Sequence, residues 1–401
     1  MTKRLRDARI LMYSHDTFGL GHLRRCRAIA HSLVEDYRGL NVLIISGATI
    51  AGAFDYRARV DFVKIPSVIK LRNGEYTSMA EHVDLQDTLK MRRSIIRHTA
   101  ESFRPDIFIV DKEPMGLHGE VEDTLTWLRT QGTRLVLGLR EVMDSPALLA
   151  AEWAKVGMID KINRHFDNIW VYGPRDFHDP LTGFVVPQSL RDKMEYVGFL
   201  PRQTSRSEGP LPATPPKYLL VTPGGGGDGA ALVEAVIAAY RADPGIALPA
   251  FIVLGPYMPA DQRQRLAESA RHLPQVSMIE FNNHMESLVA GAEAVVCMGG
   301  YNTWCEILSF DKPALMVPRT TPREEQLIRA RRASELGLAA MLMPDEAADP
   351  QRMALALRRL VDAPPPSASG CNPALDGLDN ISRIVGGWLD TGRSVTAARA
   401  G

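Results

Sequence analysis

The sequence predicts an α/β protein made of two Rossmann-like, doubly wound parallel-sheet domains. An apolar run, a glycine turn, a helical stretch and a second apolar run follow one another from Val295 to Val317, which makes one βαβ unit. The same order of strand, glycine loop and helix opens the chain, from Arg9 to Glu35. Between the two series, residues 201–216 are rich in Pro, Ser, Thr and Arg, the composition of an extended linker. The 401 residues are enough for two domains of ordinary size, and the reading divides them into 1–200, a linker at 201–216, 217–365 and a C-terminal tail at 366–401.

Lys and Arg number 47 and so do Asp and Glu, so no bulk field draws the chain to nucleic acid or to a membrane. Cys26, Cys297, Cys305 and Cys371 are widely spread with no C-x-x-C pair, which suits a reducing compartment and argues against a disulfide framework or a zinc site. The first residues lack the apolar core of a signal peptide, and no apolar run reaches spanning length. A cytoplasmic protein with at most peripheral contact at the inner face of a membrane is expected, with no nucleic-acid partner.

In the first half, strand Arg9 to Ser14 leads into the loop H-D-T-F-G-L-G-H, residues 15–22, and then a helix over Leu23–Glu35 with Leu23, Cys26, Ala30 and Leu33 at helical spacing. This G-x-G lacks the third glycine of a dinucleotide fingerprint, and His22 follows its second glycine directly. A histidine there suits a general base, and equally suits packing at a helix start. Strands at Asn41–Ser46 and Asp61–Pro66 precede a long helix over Asp84–Phe103, whose Arg92, Arg93, Arg97 and His98 read as a solvated face. Strands at Asp106–Val110, Arg134–Leu139 and Asn168–Tyr172 end in Asp111 with Glu113, in Arg140, and in Arg175. Ligands of open parallel sheets bind beyond the carboxyl ends of strands, so these charges are candidates for acceptor or sugar contacts.

The second half begins with strand Tyr218–Thr222, the glycine run Gly224–Gly229 and a helix over Ala230–Tyr240. The run lacks the Lys-Ser/Thr pair of a P-loop; Gly225 and Gly226 are expected to bring backbone close to a diphosphate. Strands Ala250–Leu254 and Val276–Phe281 and a helix over Asn283–Ala290 lead to Gly299-Gly300. A helix starting there points unpaired N–H groups and its positive dipole end at an anion. Thr303 adds a hydroxyl, and Glu306, three residues on, is placed to accept two hydrogen bonds from a vicinal diol such as a ribose. The glycines also suit a plain tight turn, and Glu306 a carboxylate favoured by the dipole. A helix over Arg323–Leu336, a strand at Ala339–Met343 and a helix over Arg352–Val361 close the domain, and Asn380–Leu389 is expected to pack back on the first one.

From Ile279 to Ala330 the segments E-F-N-N-H-M, A-E-A-V-V-C-M-G-G-Y-N-T-W-C-E, K-P-A-L-M-V-P and E-E-Q resemble glycosyltransferase family 28, and the two halves resemble the domains of a GT-B glycosyltransferase facing an interdomain cleft. The resemblance implies transfer of a sugar from a nucleotide-sugar, a UDP-sugar, to an acceptor that is lipid-linked or a polysaccharide. It puts Phe281 and Asn282 at the base, Gly299, Gly300 and Thr303 at the diphosphate, Glu306 at the ribose, and Glu325 and Gln326 at the sugar. Arg202, after V-G-F-L-P, takes the place of a donor-side arginine. His22, or Asp111 or Glu113, is the expected base of an inverting reaction, with Gly19, Gly21 and Arg140 on the acceptor side. No D-x-D occurs, so neither a metal nor another cofactor is expected.

The chain departs from the family pattern at Arg329, where Q-x-x-N would end in Asn, and at Phe18 and Leu20 in the glycine loop. The stretch G-L-G-H-L-R-R-C also resembles nucleotide-sugar hydrolases of the same superfamily. Extra residues around 70–103 and 143–193 favour transfer over hydrolysis. A non-catalytic nucleotide-sugar sensor is a third reading, against which His22 and Glu306 both stand.

Overall fold

A computed structural model of the chain describes residues 3–15, 20–70, 76–79, 83–204 and 212–397. The chain divides into two compact units, Met1–Leu200 with Asp376–Gly401, and Pro201–Leu375.

The strands of the first unit are β1 (Lys3–Ser14), β2 (Tyr37–Ser46), β3 (Val60–Lys64), β4 (Val68–Lys70), β5 (Tyr76–Ser78), β6 (Ile107–Asp111), β7 (Arg134–Arg140), β8 (Asn168–Tyr172) and β9 (Met194–Tyr196). Seven of them form one sheet in the order β3-β2-β1-β6-β7-β8-β9, and every pairing in it is parallel. The remaining two, β4 and β5, make a small antiparallel pair. A parallel sheet covered on both faces needs strands that are apolar without alternation, and I-L-M-Y at Ile10–Tyr13 and I-F-I-V at Ile107–Val110 are almost wholly buried. The helices are α1 (Gly21–Asp36), α2 (Leu85–Phe103), α3 (Glu122–Thr130), α4 (Pro146–Ala154), α5 (Met158–His165) and α6 (Gln188–Arg191).

Helix α2 starts where the Asp84 carboxylate accepts from the Asp87 backbone N–H at 2.7 Å, and stops at Arg104 in the left-handed conformation. It buries Leu89, Arg92, Ile96 and Ala100, a stripe at helical spacing. Arg92 therefore lies inside the unit, which corrects the expectation of a solvated face for that residue. Its guanidinium grips both oxygens of Glu120 at 2.7 and 2.6 Å, and Tyr13 donates to Glu120 Oε1 at 2.5 Å. Arg93 and His98 do face solvent.

The second unit holds β10 (Leu219–Thr222), β11 (Ala250–Val253), β12 (Val276–Ile279), β13 (Ala294–Cys297), β14 (Ala314–Met316) and β15 (Ala340–Met341). They form a parallel sheet in the order β12-β11-β10-β13-β14-β15. Its helices are α7 (Ala230–Ala242), α8 (Ala260–Ala270), α9 (Met285–Gly291), α10 (Tyr301–Ser309), α11 (Glu325–Glu335), α12 (Pro344–Ala347) and α13 (Pro350–Val361). One core packs α7, α8 and α13 against the sheet through Val233, Val236, Leu266, Met353 and Leu357.

The last helix, α14 (Gly377–Ala397), belongs to the first unit. Tyr37 donates to the Ser382 carbonyl at 2.8 Å, Ser382 donates to Asp36 at 2.6 Å, and Trp388 stacks on Trp170 with ring centres 5.8 Å apart. No helix among the described residues is long and apolar enough to cross a membrane. In both sheets the strand order reverses next to the first strand, between β1 and β6 and between β10 and β13. Such a reversal opens a crevice at the carboxyl ends of the strands, the usual ligand position in open α/β sheets.

Candidate functional site

At the β1/β6 crevice of the first unit, α1 begins at Gly21 and carries His22 on its first turn, while Asp111 is the last residue of β6. His22 Nδ1 lies 2.6 Å from Asp111 Oδ2. Arg25, one turn further along α1, donates from Nε to Asp111 Oδ1 at 3.1 Å and from Nη2 to Oδ2 at 2.6 Å. The Asp111 side chain is 1% exposed and His22 is 15% exposed, so the ring is the accessible member of the pair.

Burial, the largest single effect, raises the Asp111 carboxyl, but the charges and hydrogen bonds of Arg25 and His22 together outweigh it and hold the group well below the usual carboxylate range. Burial lowers His22 to about 3, against the opposing pull of Asp111. A neutral His22 that donates from Nδ1 to anionic Asp111 would keep its lone pair on Nε2. Glu113 is also lowered, to about 2: burial, the largest single effect, raises it, but Lys112, His15 and His22 together outweigh burial, and the Lys112 Nζ lies 3.2 Å away. Of the three expected bases, then, Asp111 has both oxygens engaged, Glu113 is tied to Lys112, and His22 offers a nitrogen.

His15 was not singled out in the sequence reading. Its ring stands edge-on to His22 with centres 5.6 Å apart, and its Nδ1 lies 3.4 Å from the Tyr13 hydroxyl. Burial lowers it to about 4. Arg140, at the end of β7, is buried and donates from Nη2 to the Met143 carbonyl at 3.4 Å. Gly19 lies outside the described residues.

At the β10/β13 crevice of the second unit, Gly299 adopts φ +78°, a conformation glycine favours, and α10 starts from Gly300. A side chain on Gly300 would meet nothing within 4 Å, so the helix start is open. Asn302 and Thr303 stand in the first turn. Arg202 donates from Nη2 to Asn302 Oδ1 at 2.7 Å, and its backbone N–H donates to Ser309 Oγ at 2.9 Å. It is only 6% exposed, and its Nε and Nη1 are shut off from solvent and meet no acceptor among the described residues. A buried cation with two idle donors beside a helix N-terminus has the chemistry of an anion cradle.

Two of the residues expected at the donor are buried. Glu306 is 0% exposed and offers a diol no surface; with Arg329 it acts on the buried Cys297 thiol, and Arg329 donates to the Gly299 carbonyl at 2.9 Å. Both residues form the floor under the glycine turn. Gly226 is buried, and a Cβ there would overlap the Leu254 carbonyl, so close packing between two loops explains it better than a phosphate does. Gly225 is half-buried and accepts from the Tyr257 N–H at 2.9 Å.

Glu325 and Gln326 open α11, yet both already have protein partners through Arg319. Its backbone N–H donates to Gln326 Oε1 at 3.0 Å, and its guanidinium lies 2.6 Å from Asp228 and 3.4 Å from Glu325. Phe281 and Asn282 follow β12 half-buried, with Asn282 Oδ1 accepting from the His284 N–H at 2.7 Å. Beside them, Leu254, Ala260, Arg263, Met278 and Glu280 line a cavity of about 430 Å³.

Residues 219–371 match the family model of the glycosyltransferase family 28 C-terminal domain. No curated protein matches the chain. Among solved structures it is similar to MurG of Acinetobacter baumannii, at 14% identity over 95% of this chain and 98% of that one, with a TM-score of 0.55. It is similar to UGT2 of Phytolacca americana, complexed with UDP-2-fluoro-glucose and pterostilbene, at 15% identity over 95% and 99%, with a TM-score of 0.58. A UDP-GlcNAc 2-epimerase from Neisseria meningitidis, bound to UDP-GlcNAc, gives 13% identity over 96% and 100%, with a TM-score of 0.56. The chain has the GT-B fold, and the expected likeness of its second half to family 28 holds.

Proposed function

We propose that this chain, which shares the GT-B fold and a family 28 C-terminal domain with glycosyltransferases, moves a sugar from a UDP-sugar to an acceptor hydroxyl with inversion at the anomeric carbon. The observation that supports this most is the pairing of the open α10 start with buried Arg202, whose Nε and Nη1 have no protein acceptor among the described residues. UDP-GlcNAc and UDP-2-fluoro-glucose in two neighbours of the fold support the donor class. Four free cysteines, three of them buried, support a cytoplasmic setting.

In this reading the acceptor O–H gives its proton to His22 Nε2 while its oxygen forms a bond to the anomeric carbon. The bond from that carbon to the diphosphate oxygen breaks, and the electron pair leaves with the diphosphate. Asp111 stabilises the imidazolium that forms, and the α10 N–H groups and Arg202 take the charge of the leaving group. No metal is required for that charge balance, so activity should survive chelation by EDTA. A lipid-linked or polysaccharide acceptor is the accompanying proposal.

Calorimetric titration with UDP-, GDP- and dTDP-sugars, followed by assay of nucleotide release without acceptor, tests the reading. Binding of a UDP-sugar that weakens in Arg202→Ala, with negligible release, is the expected result. Rapid release of UDP and free sugar would establish a hydrolase instead, and no binding at all would remove the donor site.

A further inference from the structure

Arg25 belongs to the G-L-G-H-L-R-R-C stretch and has no task in the proton transfer just described, yet it lies 2% exposed at the centre of the charged cluster. It follows His22 by three residues, so the two share one face of α1. Its fork takes both oxygens of Asp111, and Nη2 stands 3.2 Å from His22 Nδ1. We propose that Arg25 is a positioning residue for His22: it fixes the Asp111 edge that receives Nδ1–H, holds the imidazole in the tautomer with Nε2 free, and keeps the resting ring unprotonated. This rests on the reading of His22 as the base.

The 2.6 Å contact of Nδ1 with Asp111 Oδ2 is shorter than its 3.2 Å contact with Arg25 Nη2, which favours a proton on Nδ1. A guanidinium only donates, so it orients the carboxylate by occupying the lone pairs His22 does not use. An unprotonated Nδ1 would face an Asp111 oxygen at 2.6 Å, lone pair against lone pair. A second proton on the ring would place imidazolium beside guanidinium. Among the described residues, the other groups facing His22 include Lys112, which opposes protonation as Arg25 does, Glu113 beside Lys112, and His15 just after β1. On β8, Tyr172 lies in the field of Asp111 and Arg25, and burial keeps its hydroxyl protonated. Among the described residues, Arg25 touches both members of the pair.

Long-range proton–nitrogen correlation on the full chain labelled with ¹⁵N-histidine, with His22 assigned by His22→Gln, reads tautomer and charge directly. The wild type is expected to show Nδ1 protonated and Nε2 bare, with no titration above about pH 4.5. Arg25→Gln should raise the His22 midpoint by about one pH unit or more, a tenfold change in proton affinity. Arg25→Lys should keep the ring neutral but populate both tautomers, because an ammonium lacks the fork. An unmoved midpoint in Arg25→Gln, or a single unchanged tautomer in Arg25→Lys, would overturn the proposal. If Arg25→Gln fails to fold, the lysine variant decides alone.

None of these readouts needs a substrate, so they separate this proposal from the transferase reading. With a donor and acceptor in hand, the acid limb of the rate profile should move with the midpoint while the donor KM stays constant. A midpoint that moves without the limb sustains the positioning role and removes His22 from the chemistry.

Discussion

Two crevices with the same topology are furnished in opposite ways. At the β1/β6 reversal the side chains of His22, Asp111 and Arg25 engage one another, and Nε2 of His22 is the ring nitrogen they leave unused. At the β10/β13 reversal the working groups are a helix start and one arginine, whose Nε and Nη1 meet no acceptor among the described residues. A parallel sheet fixes where a ligand sits and is indifferent to what it is. Moving a proton requires a lone pair held in place, which takes side chains locked by one another. Holding a diphosphate requires spare N–H groups, which a helix N-terminus supplies from the backbone. Damage to the first crevice should therefore appear in turnover, and damage to the second in affinity.

The largest expected effect is on the first crevice. His22→Ala should lower turnover about 10²–10⁴-fold, the usual worth of a positioned general base, with donor affinity by calorimetry unchanged. A parallel loss of donor affinity would erase the contrast between the crevices. Next, Glu120→Ala leaves Arg92 buried and uncompensated beneath β1 and should cost about 3–5 kcal/mol in urea unfolding. Arg202→Ala should weaken donor binding about 10- to 100-fold through lost charged hydrogen bonds, with a smaller change in turnover at saturating donor.

A smaller effect concerns pH. His22 is lowered from 6.5 to about 3 by burial, and His15 and His31 are lowered to about 4 and about 3. The unfolded chain thus takes up these protons first, so their contribution is complete above pH 6.5 and declines as pH falls toward 3. Urea midpoints at pH 7 and near pH 4.5 should differ in that direction, and His22→Asn should remove one share of the slope. Smallest of all, Glu306→Gln should leave donor affinity within about twofold, as suits a floor residue. A large loss would return Glu306 to the ribose.

The parts legible in the sequence were those written locally. The apolar runs at Ile10–Tyr13, Ile107–Val110 and Val295–Val296, each followed by a turn, gave the strands of both sheets and the crevices at their ends. Short elements were missed: β9 is three residues long and α6 four, too few to show a period. Arg92 read as solvated because its partner Glu120 lies 28 residues away, and nothing near it announces a buried ion pair. Arg25, His15 and Arg319 were passed over for the same reason, since each acquires meaning from a residue on another element. Glu306 was placed on the correct helix, but its burial depends on what packs over that helix, which spacing does not report.

The first unit is sewn shut by α14, a segment that the chain supplies only after all of the second unit. During synthesis the unit carrying His22 and Asp111 therefore waits, with Tyr37, Asp36 and Trp170 uncovered, while some 175 residues of another unit are made and fold. The second unit, being continuous, has no such delay. Loss of the last stretch would thus injure the half of the molecule most remote from it in sequence, and leave its immediate neighbour in the chain intact.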